Sequence, residues 1–508
     1  MHVIQTHQVE HYHVVVILIV LVDLYLVRVI LILLEHVLII LYVHKKDIKK
    51  VLIHNNMEII RNANEYHINM LGYNPINLKN SYRFNKLLLT IDIDDGKVMF
   101  NGLTRAIIFL YNSELDNIYD IKTYEYLYRW YFLVSEDFDE INEVKMIRNK
   151  LRIPVDDLYL NNINRFTILP TLACNARCKY CYESKLKVRH NMTIETALKV
   201  SEYILQKSSI YDNIELNWFG GEPLVNSKVI NLICNYLKTR NKKFFSNITT
   251  NGFLFNDDLI KKAIESWNLQ SAQITIDGTE DVYNKVKNYV NIKDSAYKKI
   301  VNNIIILINN NINISIRLNV TATNGENLLE LVDELNAIFG ARSGLKIYCR
   351  AIFEEGLPRT EEENKIIYDN ILKIENKLKE FEFSIGQPCK EYIGIMQCMA
   401  DDGTSVLINP DGLIGTCEHY VSSDFFGNIN NNIIDSDILK GWREYENDLD
   451  ICKTCPIYAE CLRPKKCIEL RNCDNIIKNY RIHQYKEGLE KLYLEYRLNN
   501  MIPSTLIL

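Results

Sequence analysis

The chain has 508 residues, 47% hydrophobic and 24% charged, with 19 Gly and 10 Pro. That composition excludes a disordered or fibrous chain and leaves room for three or four domains of roughly 100–200 residues each. Lys and Arg number 59 against 64 Asp and Glu, a net charge of −5, and without a long basic block there is no electrostatic ground for a nucleic-acid partner.

In chain order, residues 1–56 form an apolar N-terminal extension. Val14–Val43 is broken only by Asp23, Arg28, Glu35 and His36, and Lys45, Lys46, Lys49 and Lys50 follow it. Its length suffices for a membrane anchor with the rest of the chain in the cytoplasm, but charges inside hydrocarbon are expensive. The competing reading is a non-native extension, with Met57 or Met70 as the start. No basic segment precedes an apolar core with a small-residue cleavage site, so the expected location is the reducing cytoplasm.

A hairpin is expected at Leu87–Ile93 and Lys97–Asn101, turning at Asp94-Asp95-Gly96. Helical patterns follow over Thr104–Tyr111, Thr123–Trp130 and Asp139–Leu151, so 80–158 reads as a small α+β unit. Its plain alternative is a capping domain with no binding role.

Residues 163–385 alternate strand and helix. Strands are expected at Phe166–Pro170, Asn213–Phe219, Phe245–Thr250, Ala272–Asp277, Ile314–Thr321 and Leu345–Ala351. Helices are expected at Ile194–Gln206, Lys228–Lys238, Ala296–Leu307 and Leu328–Ile338. This α/β rhythm implies parallel strands joined by right-handed crossovers, a partial (β/α)6 TIM-like barrel with its chemistry at the strands' C-terminal ends. Residues 386–480 are Cys-rich and turn-rich, and 481–508 hold an amphipathic helix at Tyr485–Tyr496.

Thirteen cysteines, an odd number, fall unevenly: three in Cys174–Cys181 and eight in Cys389–Cys473. Clustering suggests metal rather than disulfides. After the first barrel strand, Cys174, Cys178 and Cys181 form a CxxxCxxC loop. Three thiolates leave a structural zinc site one ligand short, whereas a [4Fe–4S] cluster held by three keeps one iron open.

This loop resembles the radical S-adenosylmethionine (SAM) enzymes, and the resemblance extends over about Arg165 to Ile352. Gly220-Gly221-Glu222-Pro223 matches the family's GGEP segment. By resemblance, its backbone and the Glu222 carboxylate hold the amino group of SAM, for which close backbone approach and a carboxylate are physically suited. Thr250 and Asn251, Thr275 and Asp277, and Arg317 and Asn319 match polar positions that contact SAM, and Tyr180 matches an aromatic near adenine. The plain readings are strand-end caps, solvated polar residues and packing. The resemblance implies that the cluster cleaves SAM reductively to a 5′-deoxyadenosyl radical, with electrons from an external donor of flavodoxin or ferredoxin type.

The order Cys398, Gly412, Cys417, Cys452-x2-Cys455-x5-Cys461 resembles the SPASM extension, which carries two auxiliary [4Fe–4S] clusters. By that resemblance Cys389, Cys398, Cys417 and Cys467 ligate one, and Cys452, Cys455, Cys461 and Cys473 the other. Five residues separate Cys461 from Cys467 and five more separate Cys467 from Cys473, a departure from the family's pattern that leaves the pairing of those two open. A zinc knuckle on Cys452 and Cys455 is the competing reading. Cys234 and Cys349 read as buried thiols. Glu418 stands where sulfatase-maturating members carry a catalytic Asp; a solvated surface Glu is its plain reading.

The 80–158 unit resembles the winged-helix, leader-recognition region of ribosomal-peptide (RiPP) maturases. The resemblance therefore implies a precursor peptide with a leader, bound as an added strand, and a thioether or carbon–carbon crosslink as product. Sulfatase maturation to formylglycine is the alternative reaction. A non-catalytic, metal-stabilised peptide-binding protein is the alternative of another class.

Overall fold

The computed structural model describes residues 57–71, 81–116, 121–151, 162–186, 189–292, 294–352, 359–383, 398–431, 433–444, 449–461, 466–467 and 473–501, with four short strands nearer the N-terminus. The chain divides into 1–55 and 56–508. In the first unit Gln5–Val9 pairs antiparallel with Tyr12–Val16, and Leu33–Leu34 with Val37–Leu38. Most of Val14–Val43 lies outside the described residues, among which no helix is long and apolar enough to cross a membrane.

The second unit opens with β1 (Glu58–Arg61) and α1 (Glu65–Leu71), then β2 (Tyr82–Phe84), β3 (Leu88–Ile93), β4 (Gly96–Asn101) and β5 (Ile107–Tyr111). The sheet order is β1-β5-β4-β3, with β3 and β4 joined through Asp94-Asp95 because Ile93 pairs with Gly96. The helix expected over Thr104–Tyr111 is instead β5. Ile107, Ile108, Phe109 and Leu110 are all buried, since this central strand is covered on both faces and shows no alternation. The unit also starts earlier than residue 80, because β1 edges its sheet. Next come α2 (Ile121–Arg129), β6 (Leu133–Ser135), which pairs with β2, and α3 (Glu140–Leu151).

Six parallel strands follow: β7 (Arg165–Ile168), β8 (Asn213–Trp218), β9 (Lys243–Thr250), β10 (Leu269–Thr275), β11 (Asn313–Val320) and β12 (Leu345–Ala351). Between or after them lie α4 (Ile194–Lys207), α5 (Ser227–Thr239), α6 (Asp257–Glu265), α7 (Glu280–Lys287), α8 (Ala296–Asn309), α9 (Gly325–Phe339) and α10 (Glu361–Glu380). Burial alternates strictly along β9, with Phe244, Ser246, Ile248 and Thr250 buried, as period-2 side chains require when one face meets helices. The other face is polar. Asn247 donates to Glu215 and Asn217 (both 3.1 Å), and Ser271 donates to Asn247 (2.7 Å), so the barrel's inner wall is hydrogen-bonded rather than packed with apolar side chains.

A seventh parallel strand was not foreseen. β13 (Ser405–Ile408), from the Cys-rich region, pairs with β7, and β14 (Leu413–Gly415) and β15 (Gly427–Asn428) extend that edge antiparallel. The C-terminal region is thereby built onto the strand that leads into CxxxCxxC. After α11 (Ser436–Arg443), the chain ends its described part in α12 (Asn475–Met501), longer at both ends than the expected Tyr485–Tyr496. Leu489 and Tyr493 of α12 pack on Leu89, Val98, Phe100, Ile107 and Phe109 of the N-terminal sheet.

Candidate active site

β7 delivers the chain to a loop in which Cys174, Cys178 and Cys181 are all half-buried. The Ala176 amide donates to Cys174 Sγ (3.4 Å), and Asn251 Nδ2 donates to Asn175 Oδ1 (2.7 Å). Burial pushes the Cys174 thiol up to about 12 and raises those of Cys178 and Cys181. Each also feels at least one other cysteine of the loop or a nearby carboxylate, so three thiolates here need a cation to compensate them, and a coordinating metal deprotonates a thiol outright. Asn175 Nδ2 is buried with no acceptor, a donor available to a cluster sulfide or to SAM.

The Gly220-Gly221 turn seats against this loop. Gly220 has φ +110°, where a side chain is strained, and a Cβ there would strike the Thr171 carbonyl oxygen. A Cβ on Gly221 would lie 2.5 Å from the Ala173 oxygen. Both glycines therefore let the end of β8 close on the residues that precede Cys174.

Glu222 is fully buried. Its carboxylate accepts from Leu224 N (3.1 Å), Thr250 Oγ1 (2.7 Å) and Asn251 N (2.8 Å), which ties the β8 loop to the end of β9. Burial nevertheless raises its pKa despite these donors, so a cation arriving nearby is favoured electrostatically. Pro223 begins the short 3-10 turn Pro223–Asn226.

Four more of the sequence-assigned residues form one connected chain. Arg317 Nε donates to Asn319 Oδ1 (2.9 Å), Asn319 Nδ2 to Asp277 Oδ1 (2.9 Å), and Tyr180 OH to Asp277 Oδ2 (2.5 Å). Thr275 sits beside Arg317 across the β10–β11 ladder. At the centre is Lys287, which the sequence did not single out. Its Nζ lies 2.8 Å from Asp277 Oδ2 and donates to Tyr180 OH (2.8 Å). Burial opposes its charge, but Asp277, Tyr180 and Cys178 hold its pKa well above the usual lysine value. Read alone, Lys287 is an ordinary basic residue in a helix's last turn; the one clue was that Asp277, at a barrel strand's end, needed a counter-ion.

In the Cys-rich region the structure makes two groups. Cys417 feels the charges of Cys398 and Cys467, while Cys389 lies outside the described residues. Cys452, Cys455, Cys461 and Cys473 line one recess together with Ile451, Ile457, Tyr458, Lys478 and Arg481. Four cysteine sulfurs lining one recess offer the donor set of a metal or iron–sulfur centre. Glu418 is half-exposed, and its backbone oxygen accepts from Tyr182 OH (3.0 Å). Tyr182, next to Cys181, thus links the two cysteine regions. Cys234 and Cys349 are buried in the barrel core.

A parallel barrel with CxxxCxxC after its first strand and a glycine turn closing on it defines a radical SAM domain. Residues 168–338 match the family model of the Radical SAM superfamily, whose members are enzymes. An uncharacterised protein of Methanocaldococcus jannaschii, MJ0907, is 29% identical over 51% of this chain and 86% of its own length. The radical SAM cyclopropyl synthase TigE of Paramaledivibacter caminithermalis is 24% identical over 37% of this chain and 43% of its own. The solved structure of Streptococcus suis SuiB bound to precursor peptide SuiA superposes with TM-score 0.47 at 14% identity, covering 78% of this chain and all of that one.

Proposed function

We propose that this enzyme is a peptide maturase that forms a thioether or carbon–carbon crosslink in a ribosomally made precursor peptide, with two auxiliary [4Fe–4S] clusters in its C-terminal region. The observation that carries the reading is the recess of Cys452, Cys455, Cys461 and Cys473. Its outer wall is the N-terminal unit itself, since Leu87, Leu103, Tyr131, Val134, Val144 and Ile147 share one apolar cluster with Cys452, Tyr458 and Ala459. The same unit leaves β3 at the edge of its sheet among the described residues, and an edge strand's free amides and carbonyls are what an extended leader pairs with.

Loaded with its cluster and SAM, the first site supplies one-electron cleavage of SAM and hydrogen abstraction from the peptide. The chain's own part is positional. Cys174, Cys178 and Cys181 would hold the cluster, and the Gly220-Gly221 backbone, backed by Glu222, would receive the SAM amino group. Tyr180, Asp277, Asn319 and Arg317, locked by Lys287, would border the rest of SAM. Electrons come from a flavodoxin- or ferredoxin-type donor. Formylglycine generation is the second reading, favoured only by Glu418 beside Cys417.

The test is iron, sulfide and zinc analysis of anaerobically reconstituted protein, followed by mass spectrometry of the peptide encoded nearest the gene after incubation with SAM and a reductant. About twelve iron per chain, negligible zinc and a peptide two mass units lighter are expected. About four iron with one or two zinc overturns the auxiliary clusters, and an unmodified peptide with SAM consumed overturns the substrate.

A further inference from the structure

The recess of Cys452, Cys455, Cys461 and Cys473 receives two cations from the first turns of α12. Arg481 Nη1 donates to Cys461 Sγ (3.2 Å), and Lys478, which lines the recess, donates its Nζ to the Ile451 oxygen (3.1 Å). Cys461 is gripped from its other side as well, since its carbonyl oxygen accepts from Arg148 (2.9 Å).

An iron–sulfur cluster gains one negative charge when reduced. A guanidinium on a ligand sulfur stabilises that added charge and draws electron density away from the iron, so it raises the reduction potential; a neighbouring carboxylate lowers it. We infer that Arg481, through its hydrogen bond to the Cys461 sulfur, raises the reduction potential of the centre held by Cys452, Cys455, Cys461 and Cys473. The inference depends on the auxiliary clusters proposed above. Arg481 is a positioning and tuning residue; it touches neither SAM nor peptide.

The experiment is an EPR-monitored redox titration of reconstituted protein carrying Cys174→Ala, Cys178→Ala and Cys181→Ala, which leaves the auxiliary centres alone. Arg481→Gln should lower one of the two auxiliary potentials by about tenfold in the reduced-to-oxidised ratio, ~59 mV for one electron, and leave the other in place. Arg481→Lys should restore most of it, and Lys478→Gln should give a smaller shift in the same sense. Two unmoved potentials with full iron overturn this inference alone. Iron content unchanged by Cys455→Ala overturns the auxiliary cluster and this inference with it. Independently of any Arg481 variant, the reduced unsubstituted protein should show a coupled proton that exchanges in D2O, from the Arg481 donor; its absence also overturns the assignment.

Discussion

Arg105 of the N-terminal unit and Glu460, one residue before Cys461, form an ion pair in which both side chains are 1% exposed. Arg105 also lies 4.8 Å over the Phe100 ring. Arg148 sends one guanidinium nitrogen to the oxygens of Tyr458, Ala459 and Cys461 (2.9, 3.0 and 2.9 Å). The N-terminal unit is therefore part of the wall around the last cysteine recess rather than a separate cap. Removing one partner of a buried pair leaves an uncompensated charge and costs about 3–5 kcal/mol, whereas replacing both with apolar groups is often neutral. Denaturant unfolding should show a loss of that size for Arg105→Met and for Glu460→Gln, with Arg105→Met/Glu460→Leu closer to the original protein. A double variant as unstable as the singles would show that packing, not charge, dominates there.

The three loop cysteines act as a unit. Each of Cys174→Ala, Cys178→Ala and Cys181→Ala should abolish 5′-deoxyadenosine formation and remove about four iron per chain while leaving the rest. Product formation in reduced variant protein would refute the radical SAM assignment of that loop.

Much of this site was legible because its signals are local. CxxxCxxC and Gly220-Gly221-Glu222-Pro223 are contiguous, and the barrel strands are short segments of alternating apolar residues set between helical patterns, so all six could be located. β5 was misread because Ile107–Leu110 is buried on both faces and a continuous apolar run carries no period. Arg105 and Glu460 are 355 residues apart, and Lys287 reaches Asp277 only through the turn after β10. Pairings set by tertiary closure leave no periodic trace in one sequence. The seventh strand, Ser405–Ile408, was hidden in a region read only for its cysteines.

Lys287 should matter to SAM binding without touching the cluster ligands. Lys287→Met leaves Asp277, 3% exposed, without its cation, so Tyr180 and Asn319 lose their shared anchor. Equilibrium dialysis of SAM against reconstituted protein should show affinity weakened by at least about tenfold, equivalent to ~1.4 kcal/mol. Asp277→Asn/Lys287→Met should recover part of it. Unchanged SAM affinity with unchanged iron would make the pair purely structural.

His67 supplies a pH test of the N-terminal unit. Burial first, and then the Arg105 charge, hold its pKa down at about 4, against 6.5 for a free histidine. The unfolded chain therefore binds more protons between those values, and stability rises with pH across that window. The contribution is complete above pH 6.5 and is lost as pH falls through 4. Melting curves between pH 7 and 4 should steepen their decline below pH 6.5, and His67→Phe should flatten that part of the profile. Parallel profiles for the two proteins would assign the acid sensitivity to other groups.

The proposed strand addition of a leader at β3 can be tested without disturbing the cysteine recess. Deleting the whole unit up to Leu151 would strip the wall from Cys452 and Tyr458, so a loss of peptide affinity there would not be specific. In the β3–β4 hairpin, Ile93 pairs with Gly96 across a two-residue turn, which makes 93, 91 and 89 the hydrogen-bonded positions. Thr90 and Asp92 therefore turn their amides outward. Proline at Thr90 removes one outward donor and spares the internal ladder. Fluorescence anisotropy with the labelled leader should show affinity reduced by at least about tenfold, ~1.4 kcal/mol, with iron content unchanged. Full affinity in Thr90→Pro would exclude strand addition at this edge and send the search for the leader to β1, the sheet's other edge.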